Sequence, residues 1–342
     1  MTDPAEPGPA PRRARPTLAE IAARAGTSRS TVSRAFGRPD LLRPETVAQI
    51  IAIAEEIGYV PNTLARALST GRTGNIGLVV TDISNPFFPP LIKAVQQGAD
   101  AAGLCLLLGS SSESAPREDV LLQRMRGQTD GIILAASRLT DAEILAHGAT
   151  QPLVLINRDV AALPRVLIDT GHAMEEAVDW LARHGHRRIA YLAGPPGSWS
   201  NRQRQEAAAA ACAARGLDFT VMPLETPDFD CGGLAARQAV AAGATALLAF
   251  DDLVAQGAHH RLVQAGLRLP QDVSLIGCDD ALPQISAPAL SSLSGHSHEA
   301  GAHAIALLDS LIAGEGEAGG KAEKITLTAR FIPRDTTGPA PR

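Results

Sequence analysis

The chain has 342 residues, of which 45% are hydrophobic and 20% charged, and this length suffices for a small domain and a larger two-lobed core. Its net charge of -5 is unevenly divided. Residues 1–73 contain ten arginines, no lysine and seven acidic residues, a net charge of +3, which leaves -8 on the remainder. This distribution excludes nucleic-acid binding over the whole surface but favours phosphate contact by the first segment.

Other features of the sequence exclude further classes of protein. No apolar run at the N-terminus resembles a signal peptide, and no stretch is long enough to span a bilayer, so we expect a cytoplasmic protein. The glycine-rich residues 71–77, GRTGNIG, precede a predicted strand and lack the lysine of a nucleotide-binding loop. The cysteines, which lack the paired spacing of a zinc or redox site, are Cys105, Cys212, Cys231 and Cys278. We therefore expect neither a metal nor a cofactor.

The first predicted elements are two short helices in residues 17–37, TLAEIAARAGTSRSTVSRAFG. A capping box should begin the first helix, with the Thr17 hydroxyl accepting from the Glu20 amide while the Glu20 side chain reaches back. Gly26 permits a sharp turn, and Ser28 should cap the second helix.

The second of these helices should turn arginine and serine side chains outward, where they suit guanine edges, phosphates and short hydrogen bonds in a DNA groove. The residues predicted to contact DNA from this region are Thr17, Ser28, Arg29, Ser30, Thr31, Ser33 and Arg34. An ordinary helical hairpin with a solvated polar face is the alternative for this window alone.

A third helix is predicted at residues 44–58, PETVAQIIAIAEEIG, with Pro44 at its first position and Gly58 as its stop. Its predicted apolar stripe consists of Val47, Ile50, Ile51, Ala54 and Ile57. Three helices with a shared apolar centre would form a small DNA-binding headpiece. The next segment, residues 63–69 behind the potential cap Asn62, is too short for a stable helix and should become ordered only on a partner.

At this point the chain resembles the lac-repressor (LacI/GalR) family of bacterial transcription regulators, over almost its whole length. The matching segments are TLAEIAARAGTSRSTVSRAF, GYVPNTLARALSTGRTGNIGLV, TDISNPFF, GHRRIAYLAGP, DVSLIGCDD and RFIPRDTT. The resemblance implies that the segment after the headpiece is a hinge helix that folds on operator DNA. It implies that Leu68 wedges into the minor groove and kinks the duplex, with Asn62 and Ala65 as further DNA contacts.

The remainder of the chain alternates short apolar runs with helical patterns. Continuous runs of this kind predict parallel strands covered by helices on both faces. The predicted strands are Ile76–Val80, Leu104–Leu108, Gly131–Leu134, Leu153–Ile156, Ile189–Ala193, Ala246–Phe250 and Val273–Ile276. Because about 260 residues exceed one comfortable sheet, we expect two lobes. The predicted fold is thus an all-α helix-turn-helix headpiece plus a two-lobed α/β core with parallel sheets, which the resemblance likens to periplasmic binding proteins.

The domain boundaries follow from this pattern and from the resemblance, which implies crossings between the lobes near residue 170, near residue 295 and in the last strand. The core N-lobe should comprise residues 75–171 with part of 296–327, and the C-lobe residues 172–295 with part of 328–336. The other predicted segments are a disordered basic tail at 1–15, the headpiece at 16–61, the hinge helix and linker at 62–74, and a tail at 337–342.

The predicted ligand site is the cleft between the lobes, since ligands in such sheets bind beyond the carboxyl ends of the strands. Four of the seven phenylalanines fall in loops expected to ring this cleft, near carboxylates and an arginine, although one or two of them could simply be core. This suits a sugar, a sugar derivative or a nucleobase-like effector. The predicted effector contacts, several of them implied by the resemblance, are Asn85, Phe87, Phe88, Asn157, Ser200, Arg204, Phe229, Phe250 and Asp279.

The predicted function is a sequence-specific transcription regulator, a repressor, which binds a palindromic operator as a homodimer under control of a small-molecule effector. The C-terminal sequence has no apolar heptad, so a tail coiled coil is not expected. A solute-binding protein with the same two-lobed core is the alternative, and an enzyme is disfavoured because no nucleophile–base pair is evident. The sequence assigns no role to His296, His298 and His303, which could lie at a helix start or bind a metal.

Overall fold

The computed structural model describes residues 16–59, 71–281, 287–314 and 322–341 and divides the chain into two compact units, residues 1–73 and 74–342. Within these described ranges, no helix is long and apolar enough to cross a membrane. The predicted N-terminal tail at 1–15 and the predicted hinge contacts Asn62, Ala65 and Leu68 lie outside the described residues.

The described part of the first unit contains three helices and a short 3-10 turn at Pro39–Leu41. The helices are α1 (Leu18–Arg24), α2 (Arg29–Gly37) and α3 (Pro44–Glu56). Gly26 has a φ of 63° between α1 and α2, a conformation that glycine adopts without steric cost. The buried side chains that hold these helices together are Ile21, Ala22, Val32, Ala35, Ile50 and Ala54.

Two details of the headpiece differ from the sequence prediction. The Glu20 amide donates to Thr17 Oγ1 at 3.4 Å as expected, but the Glu20 carboxylate lies 3.7 Å from the Arg24 guanidinium instead of closing a capping box. The assignment of Ile51 to the apolar stripe was wrong, because its side chain is 39% exposed. Ile53, one helical turn beyond Ile50, packs against the core in its place.

The N-lobe of the second unit is a parallel sheet with helices on its faces. Its strands are β1 (Asn75–Val80), β2 (Cys105–Ser110), β3 (Gly131–Ala135), β4 (Leu153–Ile156), β5 (Arg165–Asp169) and β11 (Lys324–Thr328). Its helices are α4 (Phe88–Ala101), α5 (Ala115–Met125), α6 (Asp141–Gly148) and α11 (Ser297–Ala313). The strands lie in the order β11-β5-β4-β3-β1-β2, and burial of β3 and β4 along their whole length explains their continuous apolar sequences.

The C-lobe repeats this plan with four parallel strands. They are β6 (Arg188–Ala193), β7 (Asp218–Pro223), β8 (Ala246–Ala249) and β9 (Ser274–Ile276), in the order β7-β6-β8-β9. Its helices are α7 (Gly171–Arg183), α8 (Trp199–Ala214), α9 (Phe229–Ala241) and α10 (Asp252–Gln264).

Three crossings join the lobes: one leads from β5 into α7, and two run side by side. The paired crossings contain the antiparallel strands β10 (Ser292–Leu293) and β12 (Phe331–Ile332). The described C-terminal residues then pack on the C-lobe, because the Gly338 carbonyl accepts from His186 Nε2 at 3.1 Å and the Ala340 amide donates to the His184 carbonyl at 2.8 Å.

The sequence prediction gave no bounds for β5, β7 and β11, nor for the two-residue strands β10 and β12. β7 and β11 are edge strands whose side chains alternate between exposed and half-buried, so they lack the continuous apolar run that marks a central strand. β5 has only three consecutive apolar residues, Val166–Ile168, and begins with Arg165, a charged residue that is nonetheless buried against Asp159. The predicted fold class, a helical unit followed by a two-lobed α/β core with parallel sheets, is confirmed.

Candidate functional sites

Helix α2 presents a polar face opposite the headpiece core. Val32 and Ala35 are buried, while the side chains that point to solvent are Arg29, Ser30, Ser33 and Arg34. Thr31 is half-buried and contacts the Ser28 hydroxyl, which also accepts from the Thr31 amide at 3.1 Å. Thr17 and Ser28 therefore act as helix caps, and both stay exposed at the first turn of their helices.

The arginines of the headpiece differ in their electrostatic surroundings. Arg24 lies 3.1 Å from Glu56, and Arg38 lies 3.8 Å from Asp40. Among the described residues, Arg29 and Arg34 have no carboxylate within 4 Å. Their guanidinium groups are thus available for an external anion or for base edges.

The carboxyl ends of the central strands of both sheets converge on one cleft between the lobes. Its residual cavity has a volume of about 40 Å³. The residues that line it are Thr81, Asn85, Phe87, Phe88, Glu113, Ala136, Arg138, Asn157, Ser198, Ser200, Arg204, Phe250, Asp251 and Asp279. Eight of the nine residues predicted to contact effector are thereby brought together.

Phe229 is the predicted effector residue that the structure does not bring to this lining. It is the first residue of α9, is 38% exposed and has its ring 5.4 Å from the imidazole of His260. The loop before α9 follows β7, an edge strand, which places Phe229 farther from the centre than the loops of β6 and β8.

An ion pair between Arg204 and Asp279 forms the floor of the cleft in the C-lobe. Arg204 Nη2 donates to Asp279 Oδ1 at 2.9 Å, and the two side chains are only 5% and 6% exposed. The Arg204 guanidinium also lies 5.2 Å from the centre of the Phe250 ring and donates to the Phe250 carbonyl, while its Nε is buried and has no partner among the described residues. Burial raises the pKa of Asp279, and the charge of Arg204 opposes this rise.

Two further aspartates lie beside this pair at the start of α10. Asp251 accepts from the Val254 amide and from Asn85 Nδ2, each at 2.8 Å. Asp252 accepts from the Ser292 hydroxyl at 2.7 Å. Burial, together with the nearby charge of Asp279, raises the pKa of Asp251 and that of Asp252 to about 7. The cleft thus contains carboxyl groups that gain or lose a proton near neutral pH.

On the N-lobe side, an arginine that the sequence reading missed extends along the cleft. Arg138 Nε donates to Glu113 Oε2 at 2.6 Å, and its Nη1 donates to the Ala136 carbonyl at 2.7 Å. The Arg138 amide donates to Glu118 Oε2 at 3.1 Å, and burial raises the pKa of Glu118. Because Glu113 and Arg138 follow the ends of β2 and β3, the same strand-end rule that selected the other residues could have found them.

Backbone strain is concentrated at this edge of the sheets. Seven described residues other than glycine have a positive φ, and six of them lie in loops that follow strands at the cleft: Ser112, Glu113, Ala136, Asn157, Asp279 and Asp280. Asp279 has a φ of 103°, and its carbonyl oxygen would lie 2.2 Å from a Cβ placed on Gly295. Strained backbone of this kind is typical of ligand-binding sites, where the surrounding structure holds side chains in a required position.

Of the three histidines with no assigned role, His296 is the N-cap of α11, and His298 and His303 lie within that helix. His296 has a φ of 45°, contacts Glu299 through Nδ1 and lies 3.2 Å from the Ser294 hydroxyl through Nε2. In the part of the chain that the structure describes, no group of three or more histidine, cysteine or acidic side chains is arranged to hold a metal. Through its contacts with Ser294 and Glu299, His296 links the residues after β10 to the first turn of α11.

A three-helix unit with exposed arginines, joined in one chain to a two-lobed α/β core, is the architecture of a class of DNA-binding transcription regulators. Comparison with known proteins agrees. The profile of bacterial regulatory proteins of the lacI family matches residues 17–62, and that of the periplasmic binding protein-like domain matches residues 178–337. The chain belongs to the lacI family of bacterial regulatory proteins, as its sequence segments predicted.

Several relatives support this membership. The HTH-type transcriptional repressor CytR of Escherichia coli K12 is 30% identical over 301 residues, which cover 85% of this chain and 88% of that protein. The ribose operon repressor of Bacillus subtilis strain 168 is 30% identical over 302 residues, covering 86% of this chain and 91% of that protein.

Solved structures share the fold. A lac repressor dimer bound to operator and the anti-inducer ONPF has a TM-score of 0.83 at 23% identity, covering 95% of this chain and 100% of that one. The complex of the transcriptional regulator CelR with cellobiose has a TM-score of 0.68 at 26% identity, covering 94% of this chain and 100% of that one.

Proposed function

We propose that this protein is a sequence-specific transcription repressor that binds a palindromic operator as a homodimer and releases or holds it according to a small molecule in the interlobe cleft. Membership of a family of DNA-binding transcription regulators is the foundation of this proposal. The proposal of a ligand site is based on one observation: the Arg204–Asp279 pair, the Phe250 ring and the Asn157 amide all line one cavity.

The proposal of sequence-specific DNA binding is based on the exposed face of α2. Arg29, Ser30 and Arg34 are exposed on one helix whose opposite side is anchored in the headpiece core, so the helix can enter a major groove without losing its packing. Single hydroxyl and guanidinium groups on a rigid helix suit direct readout of bases and positioning on phosphates. Leu68, with Asn62 and Ala65, is proposed to add the minor-groove contact that the family resemblance implies.

A dimer is proposed because one headpiece of this size covers only a half-site, and two-fold symmetry of the protein would match that of a palindrome. The relative with operator in its structure is also a dimer. Sedimentation of the full chain at micromolar concentration is expected to give the mass of two copies, with or without operator DNA.

The chemistry of the cleft favours a ligand with hydroxyl or amine groups and one flat or apolar face. Arg204 and Asp279 offer donors and an acceptor, and Phe87, Phe88 and Phe250 offer apolar contact. The cavity volume of about 40 Å³ is far below the volumes of small-molecule binding sites, which begin at roughly 300 Å³. We therefore propose that effector binding moves the lobes, and that this movement is the means by which the cleft controls the headpiece.

The alternative function, a solute-binding protein without DNA activity, shares the two-lobed core but leaves α2 and its exposed arginines without a purpose. As a bacterial DNA-binding regulator, the protein is proposed to act in the cytoplasm, at the nucleoid when bound to operator. Its relatives are named as transcription regulators and not as enzymes, in keeping with a non-enzymatic role.

The test is a gel shift of the full chain on DNA from upstream of its own gene, with sugars, sugar derivatives and nucleosides added in turn. We expect a salt-sensitive shift that competitor DNA of random sequence does not abolish, and one class of small molecule that changes it. Equal binding to random and upstream DNA would contradict the proposal. Specific binding with no response to any ligand would support operator recognition but not control by an effector.

A further inference from the structure

We propose that Asn85 and Asp251 form a latch that holds the two lobes together across the cleft. Asn85 follows β1 in the N-lobe, and Asp251 follows β8 in the C-lobe. Asn85 Nδ2 donates to Asp251 Oδ2 at 2.8 Å, and the aspartate is 1% exposed. The bond thus joins two loops that are 166 residues apart in sequence and belong to different lobes.

The orientation of both side chains is specified by further hydrogen bonds. Asn85 Oδ1 accepts from the Phe87 amide at 3.0 Å, which turns Nδ2 toward the C-lobe. Asp251 Oδ1 accepts from the Val254 amide at 2.8 Å as the N-cap of α10, which leaves Oδ2 for the N-lobe. Each side chain is therefore fixed within its own lobe by one atom and reaches across the cleft with the other.

The position of this bond distinguishes it from other polar contacts between the lobes. Gln203 on α8 bonds to Thr170 and Asp169, but those residues lie at the crossing where the chain itself joins the lobes. The Asn85–Asp251 bond lies at the lining of the cavity, so the lobes cannot separate there without breaking it. Opening the cleft exchanges this bond for bonds to water, so the open arrangement loses the net stabilisation of about one hydrogen bond.

The role of this latch in effector control rests on the proposed function. Only a cleft that responds to a ligand needs an interaction that sets how readily it opens. The residual cavity of about 40 Å³ agrees with a cleft that is held closed. A ligand that binds the open arrangement must offset the loss of the latch, so the latch lowers the affinity for the ligand and sets the population of open protein.

The test reverses the direction of the bond in the full chain. In Asp251→Asn two amide groups face each other, and the bond from Nδ2 to Oδ2 is lost. In Asn85→Asp two carboxyl groups face each other and can keep a bond only by sharing a proton, so exchange is followed at about pH 8, above the pKa of about 7 of Asp251. The double variant carries both substitutions. The carboxylate then introduced at position 85 can accept from the Phe87 amide, and the amide introduced at position 251 can cap α10 through its oxygen and donate back across the cleft through its nitrogen. Hydrogen–deuterium exchange is followed by mass spectrometry at residues 81–88 and 249–256, without DNA or ligand.

We expect each single variant to raise amide exchange on the order of fivefold to tenfold in both segments, as for the loss of about one hydrogen bond, and the double variant to restore slow exchange. Asp228→Asn is the matched control, because Asp228 is also an N-cap in the C-lobe, accepting from the Cys231 amide at 2.8 Å, but does not line the cleft. It should change exchange only at the start of α9.

Faster exchange confined to residues 249–256 in Asp251→Asn, with no recovery in the double variant, would overturn the latch and leave Asp251 as a helix cap. Unchanged exchange in both single variants would overturn it as well. A gel shift on the same proteins keeps this result apart from the proposed function. Rescue by the double variant without any operator binding would retain the latch and remove the regulatory role.

Discussion

Arg204 and Asp279 form a buried ion pair that links α8 to the end of β9, two elements whose paired residues are 75 positions apart in sequence. The guanidinium has no other carboxylate within 4 Å among the described residues, and the aspartate lies near the further acidic groups Asp251 and Asp252. Loss of either partner therefore leaves the other charge in a dry environment. The groups proposed to bind ligand in this cleft thus also contribute to its stability.

We predict that Arg204→Met lowers the free energy of unfolding by about 3–5 kcal/mol, the usual cost of leaving one member of a buried pair alone. Urea denaturation followed by circular dichroism measures this. Arg268→Met is the control, since Arg268 pairs with Asp272 on the surface and is 72% exposed, so its loss should leave stability nearly unchanged. Equal losses in the two variants would show that the buried pair contributes no more than a surface pair.

The same pair determines how the ligand response should be tested. Asp279→Ala would remove both a proposed effector contact and the hydrogen-bond partner of Arg204. Asp279→Asn is the better variant because an amide oxygen can still accept from Nη2, and circular dichroism must show that it stays folded without the negative charge. We expect Asp279→Asn to bind operator normally but to lose its response to the small molecule that acts on the wild type. The gel shift with and without that molecule decides, and a normal response would remove Asp279 from the effector site.

A further prediction concerns Gly295, which packs against the strained backbone of Asp279. A Cβ at this position would lie 2.2 Å from the Asp279 carbonyl oxygen and 2.7 Å from its Cα, so Gly295→Ala must displace the backbone that positions the aspartate. We expect a loss of about 1–3 kcal/mol in unfolding free energy, typical of overpacking.

The control for Gly295 is Gly197→Ala, also near the cleft, whose added Cβ would have its nearest neighbour, Arg138 Cδ, at 4.0 Å. Thermal unfolding of the two variants side by side gives the comparison. A Gly295→Ala protein as stable as Gly197→Ala would mean that the Asp279 loop adjusts freely and that its conformation is not enforced by this contact.

Central strands and the residues at their ends could be predicted from sequence because burial on both faces leaves a continuous apolar run, as in β3 and β4. The edge strands β7 and β11 carry no such run, since their side chains alternate between exposed and half-buried positions and need not be apolar. The pairing of Arg204 with Asp279, and of Asn85 with Asp251, could not be read from the chain. Those contacts depend on how distant segments approach each other in space, and no local pattern encodes that distance.

The prediction for pH concerns Asp252, whose pKa is raised to about 7 by burial and by the charge of Asp279. The folded state then keeps a proton that the unfolded state, with a pKa near 3.8, has already released. The cost to stability is absent below about pH 4, grows between about pH 4 and 7, and is fully present above about pH 7. Stability therefore falls as pH rises through this window, by at most about 1.4 kcal/mol per pH unit.

Asp252→Asn should remove this contribution while its amide keeps contact with the Ser292 hydroxyl and the Ala281 amide. We expect the unfolding free energy of the variant, taken relative to the wild type, to be higher at about pH 8 than at about pH 4.5. Urea denaturation at several pH values measures this difference between the two proteins, which cancels the titration of groups that behave alike in both. A difference that does not change with pH would contradict the raised pKa.

The last prediction concerns DNA reading by α2. Arg29 is exposed in the first turn of the helix and, among the described residues, has no carboxylate partner, so it can reach a guanine edge. Arg29→Ala should weaken binding to the best operator by about 1–3 kcal/mol and relax the preference at one base pair in each half-site. Fluorescence anisotropy on a set of operators with single base changes measures both effects. Arg24→Ala is the control, since Arg24 is paired with Glu56 and Glu20, and its loss should leave base preference intact. If Arg29→Ala weakened binding to specific and random DNA equally, Arg29 would be a phosphate contact. Ser30 and Arg34 would then remain as the residues proposed to read bases.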